Sequence, residues 1–281
     1  MEYIFIILLG LCLGSFVNAL IWRIHKQEEV RAGKAKTSPK ERQQLSIVHG
    51  RSMCMHCGHE LAPKDLIPVL SWISLRGKCR YCRHRIDDTP LAELILPALL
   101  VLSYIFWPYA ANGWSGMDIA LFTAWTGVLT CFVALSIYDA KWFLLPDRIV
   151  APLTGIVLVM VVLIAFEQGS PAAVLQSLLG GFVLSGVFFL LSYVSKGQWI
   201  GGGDIKIGFA LGMIAGSPLM ALLVIFMSSL LGTVFTLPAM VTGKQKLKSM
   251  LPFGPFLMAA TYLIFLWGDK LTSWYFGLFL Q

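Results

Sequence analysis

Residues 119–138 read IALFTAWTGVLTCFVALSIY, twenty positions without a charge, and residue 139 is an aspartate. A run of about 20 apolar residues crosses the hydrocarbon core of a bilayer as an α-helix, whereas a membrane β-strand alternates polar and apolar positions. Working outward, further apolar runs occupy 3–22, 91–109, 149–166, 173–194, 205–215, 219–241 and 253–267. The run at 205–215 is short and is followed by Gly216, Ser217 and Pro218, so it either crosses or re-enters. The chain is 57% hydrophobic and 13% charged with a mean hydropathy of +0.74. That composition excludes a water-soluble globule, a disordered chain and a secreted disulfide scaffold. The expected fold is all-α: a polytopic helical membrane protein of about eight spans.

Charge is concentrated in one place. Residues 23–88 hold fourteen Lys and Arg against seven Asp and Glu, all five histidines and four of the six cysteines. This divides the chain into a first span (1–22), a polar insert (23–89) and a multi-helix membrane domain (90–281). Positively charged loops stay in the cytoplasm. The insert is therefore expected inside, together with residues 139–148, residues 195–204 and the loop carrying Lys244, Lys246 and Lys248, and both termini outside. The first span lacks a basic segment before it and a small-x-small site after it, so it reads as a retained anchor. The net positive charge fits anionic lipid headgroups, with no nucleic acid needed as partner.

Within the insert, Cys54-x-x-Cys57 and Cys79-x-x-Cys82 have the spacing of two knuckles that present four thiolates to one ion. Four thiolates leave no open coordination position, so a zinc ion there is expected to be structural. A small insert with little core would draw its folding free energy largely from that ion. His56, His59 and His84 lie beside the cysteines and could replace a ligand, but with four thiols available they are expected as neighbours of the site. Cys12 and Cys131 fall inside apolar runs.

Acids at membrane boundaries are costly and usually functional. Asp139 ends the run at 119–138, and Asp204 follows Gly201-Gly202-Gly203. Two carboxyls a few ångströms apart in a low-dielectric site cannot both ionise, and the shared proton lets one activate water while the other protonates the substrate. The glycines would allow an extended substrate to lie against the second acid. The competing reading is an interfacial charge pairing of Asp139 or Asp147 with Lys141, Arg148 or Lys206. Asp147 competes with Asp139 as the first acid of the pair, but its place next to Pro146 suggests a helix cap accepting backbone N–H groups.

In this order and combination the residues resemble one family. Gly14-Ser15-Phe16-Val17-Asn18 with Ile21-Trp22-Arg23, the two knuckles with Asp65-Leu66-Ile67-Pro68 and Leu70-Ser71-Trp72, Pro90-Leu91-Ala92-Glu93-Leu94, Gly201-x-Gly203-Asp204-x-Lys206 and Pro252-Phe253-Gly254-Pro255-Phe256 are similar to motifs of the type IV prepilin peptidases. These are bifunctional leader peptidase/N-methyltransferases. The resemblance implies that Asp139 and Asp204 are the catalytic pair, with Gly201, Gly202, Gly203 and Lys206 positioning substrate or backbone. It also implies that Asp147 is not the proteolytic acid. It further implies cleavage of prepilins and pseudopilins after a glycine, at the cytoplasmic face of a bacterial inner membrane. Methylation of the new terminal residue from S-adenosylmethionine would follow. Met55 and His56 stand where the family commonly has a proline, the linker 28–49 is long, and Thr89 replaces an aromatic. No glycine-rich loop locates the methyl-donor site. A proton-coupled transporter using the same acids and a zinc-anchored assembly scaffold are the alternatives from other classes.

Overall fold

The computed structural model describes residues 1–34, 44–47, 49–54, 56–86, 90–109, 113–241 and 251–279. Met55, Thr89, Lys244, Lys246, Lys248 and residues 35–43 of the linker lie outside the described residues. Among those described, the apolar runs fall in eight helices: α1 (Glu2–Arg31), α2 (Leu91–Ile105), α3 (Gly116–Trp142), α4 (Asp147–Glu167), α5 (Ala172–Val194), α6 (Gly202–Ala215), α7 (Pro218–Val241) and α8 (Gly254–Phe279). Helices α1, α3, α4, α5 and α7 are each long and apolar enough to cross a membrane, and α2 and the 254–268 part of α8 are shorter apolar helices. The chain is thus an all-α, multi-pass membrane protein. Its contacts divide it into two units, Met1–Ile105 and Phe106–Gln281.

In the first unit, α1 and α2 pack through small residues. A Cβ on Gly10 would lie 2.5 Å from Pro97 Cα, and one on Gly14 would lie 2.5 Å from the Ala92 carbonyl oxygen. Backbones in lipid approach this closely only where side chains are absent, so the four-residue spacing of these glycines sets the helix pair. Helix α1 runs past its apolar stretch to Arg31, its polar end supported by a Lys26–Glu29 ion pair at 2.6 Å. Arg23, only 7% exposed, donates to the carbonyls of Ser46, Ile47 and Gly50 at 3.2, 3.2 and 2.9 Å. A buried guanidinium needs such acceptors. It ties the segment entering the knuckles to α1.

In the second unit the short helix α6 is the central element, packed against α4, α5, α7 and α8. Fourteen residues rise about 21 Å, less than the ~30 Å hydrocarbon core. That shortness is tolerated because neighbouring helices enclose it: Ile207, Gly208, Ala210, Leu211, Gly212, Met213 and Ile214 are all buried. Contact with α5 is backbone to backbone, a Cβ on Gly212 standing 2.3 Å from the Gly180 carbonyl oxygen and one on Gly180 standing 2.5 Å from that of Gly212. Gly216, at φ 80, ends the helix in the left-handed conformation that glycine adopts without steric cost.

Candidate active site and metal centre

Asp139 occupies the last turn of α3, where Phe143 closes the helix in the left-handed region at φ 54 and donates its N–H to the Asp139 carbonyl at 2.8 Å. The side chain is 6% exposed. Its Oδ2 accepts the backbone N–H of Gly254 at 3.0 Å, the first residue of α8. Helix N-termini carry unpaired N–H groups and a partial positive charge, which suits them to a carboxylate. Asp204 lies in the first turn of α6. The two carboxyls are near enough to interact electrostatically.

The glycines before Asp204 have different surroundings. A Cβ on Gly203 would stand 3.0 Å from Leu145 Cβ, so its bareness lets the start of α6 seat against the connection between α3 and α4. Gly202 faces open space, and a Cβ on Gly201 would meet only Asp204 Oδ2, at 3.7 Å. Lys206, two residues after Asp204, extends to Asp147 and donates to both of its carboxylate oxygens, at 2.7 and 2.9 Å. Asp147 therefore does not cap α4 as its position beside Pro146 suggests. Pro146 is the capping residue, without a side-chain bond, and the Asp147 carboxylate is turned outward to the lysine. Of the charge pairings weighed from the sequence, the Asp147–Lys206 one is formed.

Gly254 is the site residue that sequence reasoning passed over. The run Pro252-Phe253-Gly254-Pro255-Phe256 stood out as a motif, but nothing in it tells that one N–H points to an acid 115 positions earlier. The only signal was a glycine held between prolines at the start of an apolar run.

In the first unit the sulfur atoms of Cys54, Cys57, Cys79 and Cys82 all lie within 4.8 Å of one another. A tetrahedral ion with metal–sulfur bonds of about 2.3 Å requires sulfurs about 3.8 Å apart. The Cys54 and Cys82 sulfurs are separated by 3.8 Å. The two knuckles repeat at an offset of 25 residues, RSMCMHCGHEL at 51–61 and RGKCRYCRHRI at 76–86. Cys54 N–H donates to the His59 carbonyl at 2.9 Å as Cys79 N–H does to that of His84 at 2.8 Å, and Met53 bridges Glu60 as Lys78 bridges Arg85. The rings also pair across the repeat: His56 stacks on His84 with centroids 3.9 Å apart, and Tyr81 lies over His59 at 3.7 Å. The histidines buttress the cluster, which among the described residues consists of the four cysteines. The His84 backbone N–H draws the Cys82 thiol down, but burial and hydrogen bonds to the other three cysteines push it up to about 12. Four clustered thiols cannot all ionise without a cation, so the donor set and its geometry fit a metal ion.

Two interacting acids at helix ends, one of them buried, and a four-thiol cluster, on an all-helical membrane scaffold, define a multi-pass membrane protein with a two-carboxyl site and a site able to hold a metal. Residues 8–107 match the bacterial peptidase A24 N-terminal domain, and residues 126–237 match the type IV leader peptidase family. The chain is 34% identical to a prepilin leader peptidase/N-methyltransferase of Pseudomonas aeruginosa, over 96% of this chain and 91% of the relative. It is 31% identical to one of Aeromonas hydrophila, covering 98% and 94%, and 33% identical to one of Burkholderia pseudomallei, covering 92% and 83%. No solved structure matches. The chain belongs to the type IV leader peptidase family.

Proposed function

We propose that this protein is a membrane aspartic peptidase that removes the leader of type IV prepilins and pseudopilins after a glycine, and then N-methylates the new terminal residue. The observation that carries the peptidase reading is that Asp139, buried at the end of α3, lies within electrostatic reach of Asp204 in the first turn of α6. In the reaction one carboxylate takes a proton from water as its oxygen attacks the scissile carbonyl. The other gives its proton to the carbonyl oxygen; the first then passes the proton it took from water to the leaving amine as the C–N bond breaks, while the second recovers a proton from the gem-diol hydroxyl, so the pair again holds one proton. The Gly254 N–H fixes Asp139, and the open side of Gly201 and Gly202 leaves room for an extended backbone.

The excess of Lys and Arg in the insert supports placing both sites at the cytoplasmic face, where the basic leader of a prepilin would also sit. Zinc is the metal that four thiolates favour, with a role in holding the insert together. Methylation draws on the relatives' second named activity. S-adenosylmethionine supplies a methyl group that the unprotonated terminal amine takes from sulfur, leaving S-adenosylhomocysteine and one proton to solvent.

Co-expression with a prepilin, followed by mass spectrometry of its amino terminus, tests the reading. Asp139→Asn, Asp139→Ala, Asp204→Asn and Asp204→Ala should each abolish leader removal. Wild type should yield a shortened terminus heavier by ~14 Da, one methyl group. Processing that survives loss of either acid would overturn the paired mechanism.

A further inference from the structure

Helix α2 opens at Leu91, and its start exposes Leu91, Leu94 and Ile95 while Ala92 is buried against α1. On a membrane helix such an apolar face meets lipid, so the bilayer begins near this level. A second exposed apolar surface belongs to the insert of the same unit. Leu66, Ile67, Leu70 and Ile73 are 40, 46, 66 and 58% exposed. Single exposed leucines are ordinary, but four large apolar side chains gathered on a small polar insert mark a surface that meets something other than water.

The backbone does the gathering. Ser71 N–H donates to the Ile67 carbonyl and Ile73 N–H to that of Val69, both at 3.0 Å, which winds Leu70–Ser74 into a helical turn. Three residues apart, Leu70 and Ile73 share one side of that turn. Trp72, on the other side, packs on Gly77, where a Cβ would lie 3.2 Å from its ring. The turn is also pinned to α2. Val69 N–H donates to Glu93 Oε2 at 2.6 Å, and Val69 is held at φ 61, a conformation that β-branched residues seldom adopt. The middle of the apolar stretch therefore stands beside the first turn of α2. Charge around it is positive: Lys64, Arg76 and Lys78 are exposed, and Asp65, the one acid of residues 61–86, is bonded by Arg80 at 2.6 Å.

We propose that residues 66–73 form an interfacial anchor. Leu66, Ile67, Leu70 and Ile73 enter the boundary between headgroups and acyl chains, and Lys64, Arg76 and Lys78 meet acidic lipid headgroups. Lipid is favoured over a protein occupant because it already covers the neighbouring face of α2, and the Val69–Glu93 bond makes the two apolar surfaces continuous. Shallow insertion of an apolar face with a cationic margin is how surface-lying segments hold to membranes. The anchor lies between Cys57 and Cys79 in the chain, so it keeps the thiol cluster close to the bilayer surface. It depends on neither the peptidase nor the methyltransferase reading.

The test uses the full-length, metal-loaded protein in nanodiscs of phosphatidylcholine with or without phosphatidylglycerol. Each nanodisc includes a lipid with a photoreactive diazirine near its glycerol backbone, and mass spectrometry maps the labelled peptides. Label should appear on residues 66–73 as well as on 91–95, and the yield on 66–73 should rise about threefold or more with phosphatidylglycerol. Leu70→Ser with Ile73→Ser should lower the label on 66–73 about fivefold or more and leave that on 91–95 unchanged. Lys64→Gln, Arg76→Gln and Lys78→Gln together should remove the effect of phosphatidylglycerol. Metal content reports whether the variants are folded, and the wild-type map decides the matter if they are not. Label on 91–95 with none on 66–73 overturns the anchor, and equal label on 66–73 in the two lipids overturns the role of its basic margin. Hydrogen-exchange protection of 66–73 that appears only when a prepilin or a second copy shares the nanodisc gives the surface to that protein and overturns the anchor too.

Discussion

Gly254 donates its N–H to Asp139 Oδ2 at 3.0 Å, and a Cβ on Gly254 would stand 2.8 Å from that same oxygen. The glycine is therefore required twice, once to leave room and once to point a donor. Gly254→Ala should displace the carboxyl. Misplacement of a reacting group by about 1 Å can lower rate about 100-fold, and a loss of that size or more in leader cleavage is expected. Quantifying processed prepilin against time at matched enzyme levels measures it, and near-wild-type cleavage would mean the contact does not position Asp139.

Asp147 and Lys206 form the contrasting case. Their ion pair is short, but the side chains are 69% and 56% exposed. Exposed pairs contribute roughly 0–1 kcal/mol. Asp147→Asn should reduce cleavage no more than about fivefold and lower stability within that range. A loss as severe as that of Asp204→Ala would show that Asp147 takes part in the chemistry and that the outward pairing is not its working state.

Much of this arrangement is legible in the sequence, and the missing parts share a physical cause. Hydropathy marks where a helix meets lipid, so the eight runs map onto eight helices, and the paired Cys-x-x-Cys motifs map onto one cluster. It does not mark where a helix ends. Helix α1 continues to Arg31 because Lys26 and Glu29 support it in water, although its apolar run stops at Trp22. Nor does it reveal which bare backbone a neighbour needs. Of the three glycines before Asp204, only Gly203 is crowded by another element, and Gly254 is recognisable as part of the site only once α8 is seen to begin beside Asp139. Such facts belong to pairs of distant segments, and no local pattern encodes them.

The glycine contact of α5 and α6 makes a prediction about stability. Gly212→Ala would put a carbon 2.3 Å from the Gly180 carbonyl oxygen, a backbone atom that cannot swing away, whereas a Cβ on Gly186 of the same pair of helices meets nothing within 4 Å. Overpacking of this kind costs typically about 1–3 kcal/mol. Gly212→Ala should lower the melting temperature in detergent and reduce the amount of protein recovered, and Gly186→Ala should change neither. Equal behaviour of the two variants would show that the helices do not meet at Gly180 and Gly212.

The thiol cluster predicts a competition between metal and protons. The His84 N–H draws the Cys82 thiol down, but burial and its three sulfur neighbours push it up on balance, so a cation must displace its proton. Adding Zn²⁺ to chelator-stripped protein should therefore release protons into a weakly buffered solution, and affinity should rise with pH. Stripped protein should become sensitive to protease between residues 44 and 86 while peptides from 106–281 remain protected. Metal uptake without proton release would mean that the thiols are already ionised in the stripped protein.

Asp65 gives the insert a pH dependence of opposite origin. Its Oδ1 accepts from Arg80 at 2.6 Å and its Oδ2 from the Tyr81 hydroxyl at 3.1 Å. The Arg80 bond is the main cause that holds its carboxyl below the usual carboxylate range, with lesser help from Tyr81 and the Ala62 N–H against some desolvation. Unfolded, the same group titrates near about 3.9. A folded value below the unfolded one means the stabilisation is fully present above about pH 4 and disappears as pH falls through the folded value. Asp65→Asn should therefore destabilise the metal-loaded insert at pH 7, and the gap between variant and wild type should close as the solution is taken below about pH 4. Limited proteolysis of residues 44–86 at matched metal occupancy follows both. A gap that stays constant from neutral to acid conditions would mean that the carboxylate charge is not what Arg80 and Tyr81 recognise, and that Asp65 serves the insert by shape alone.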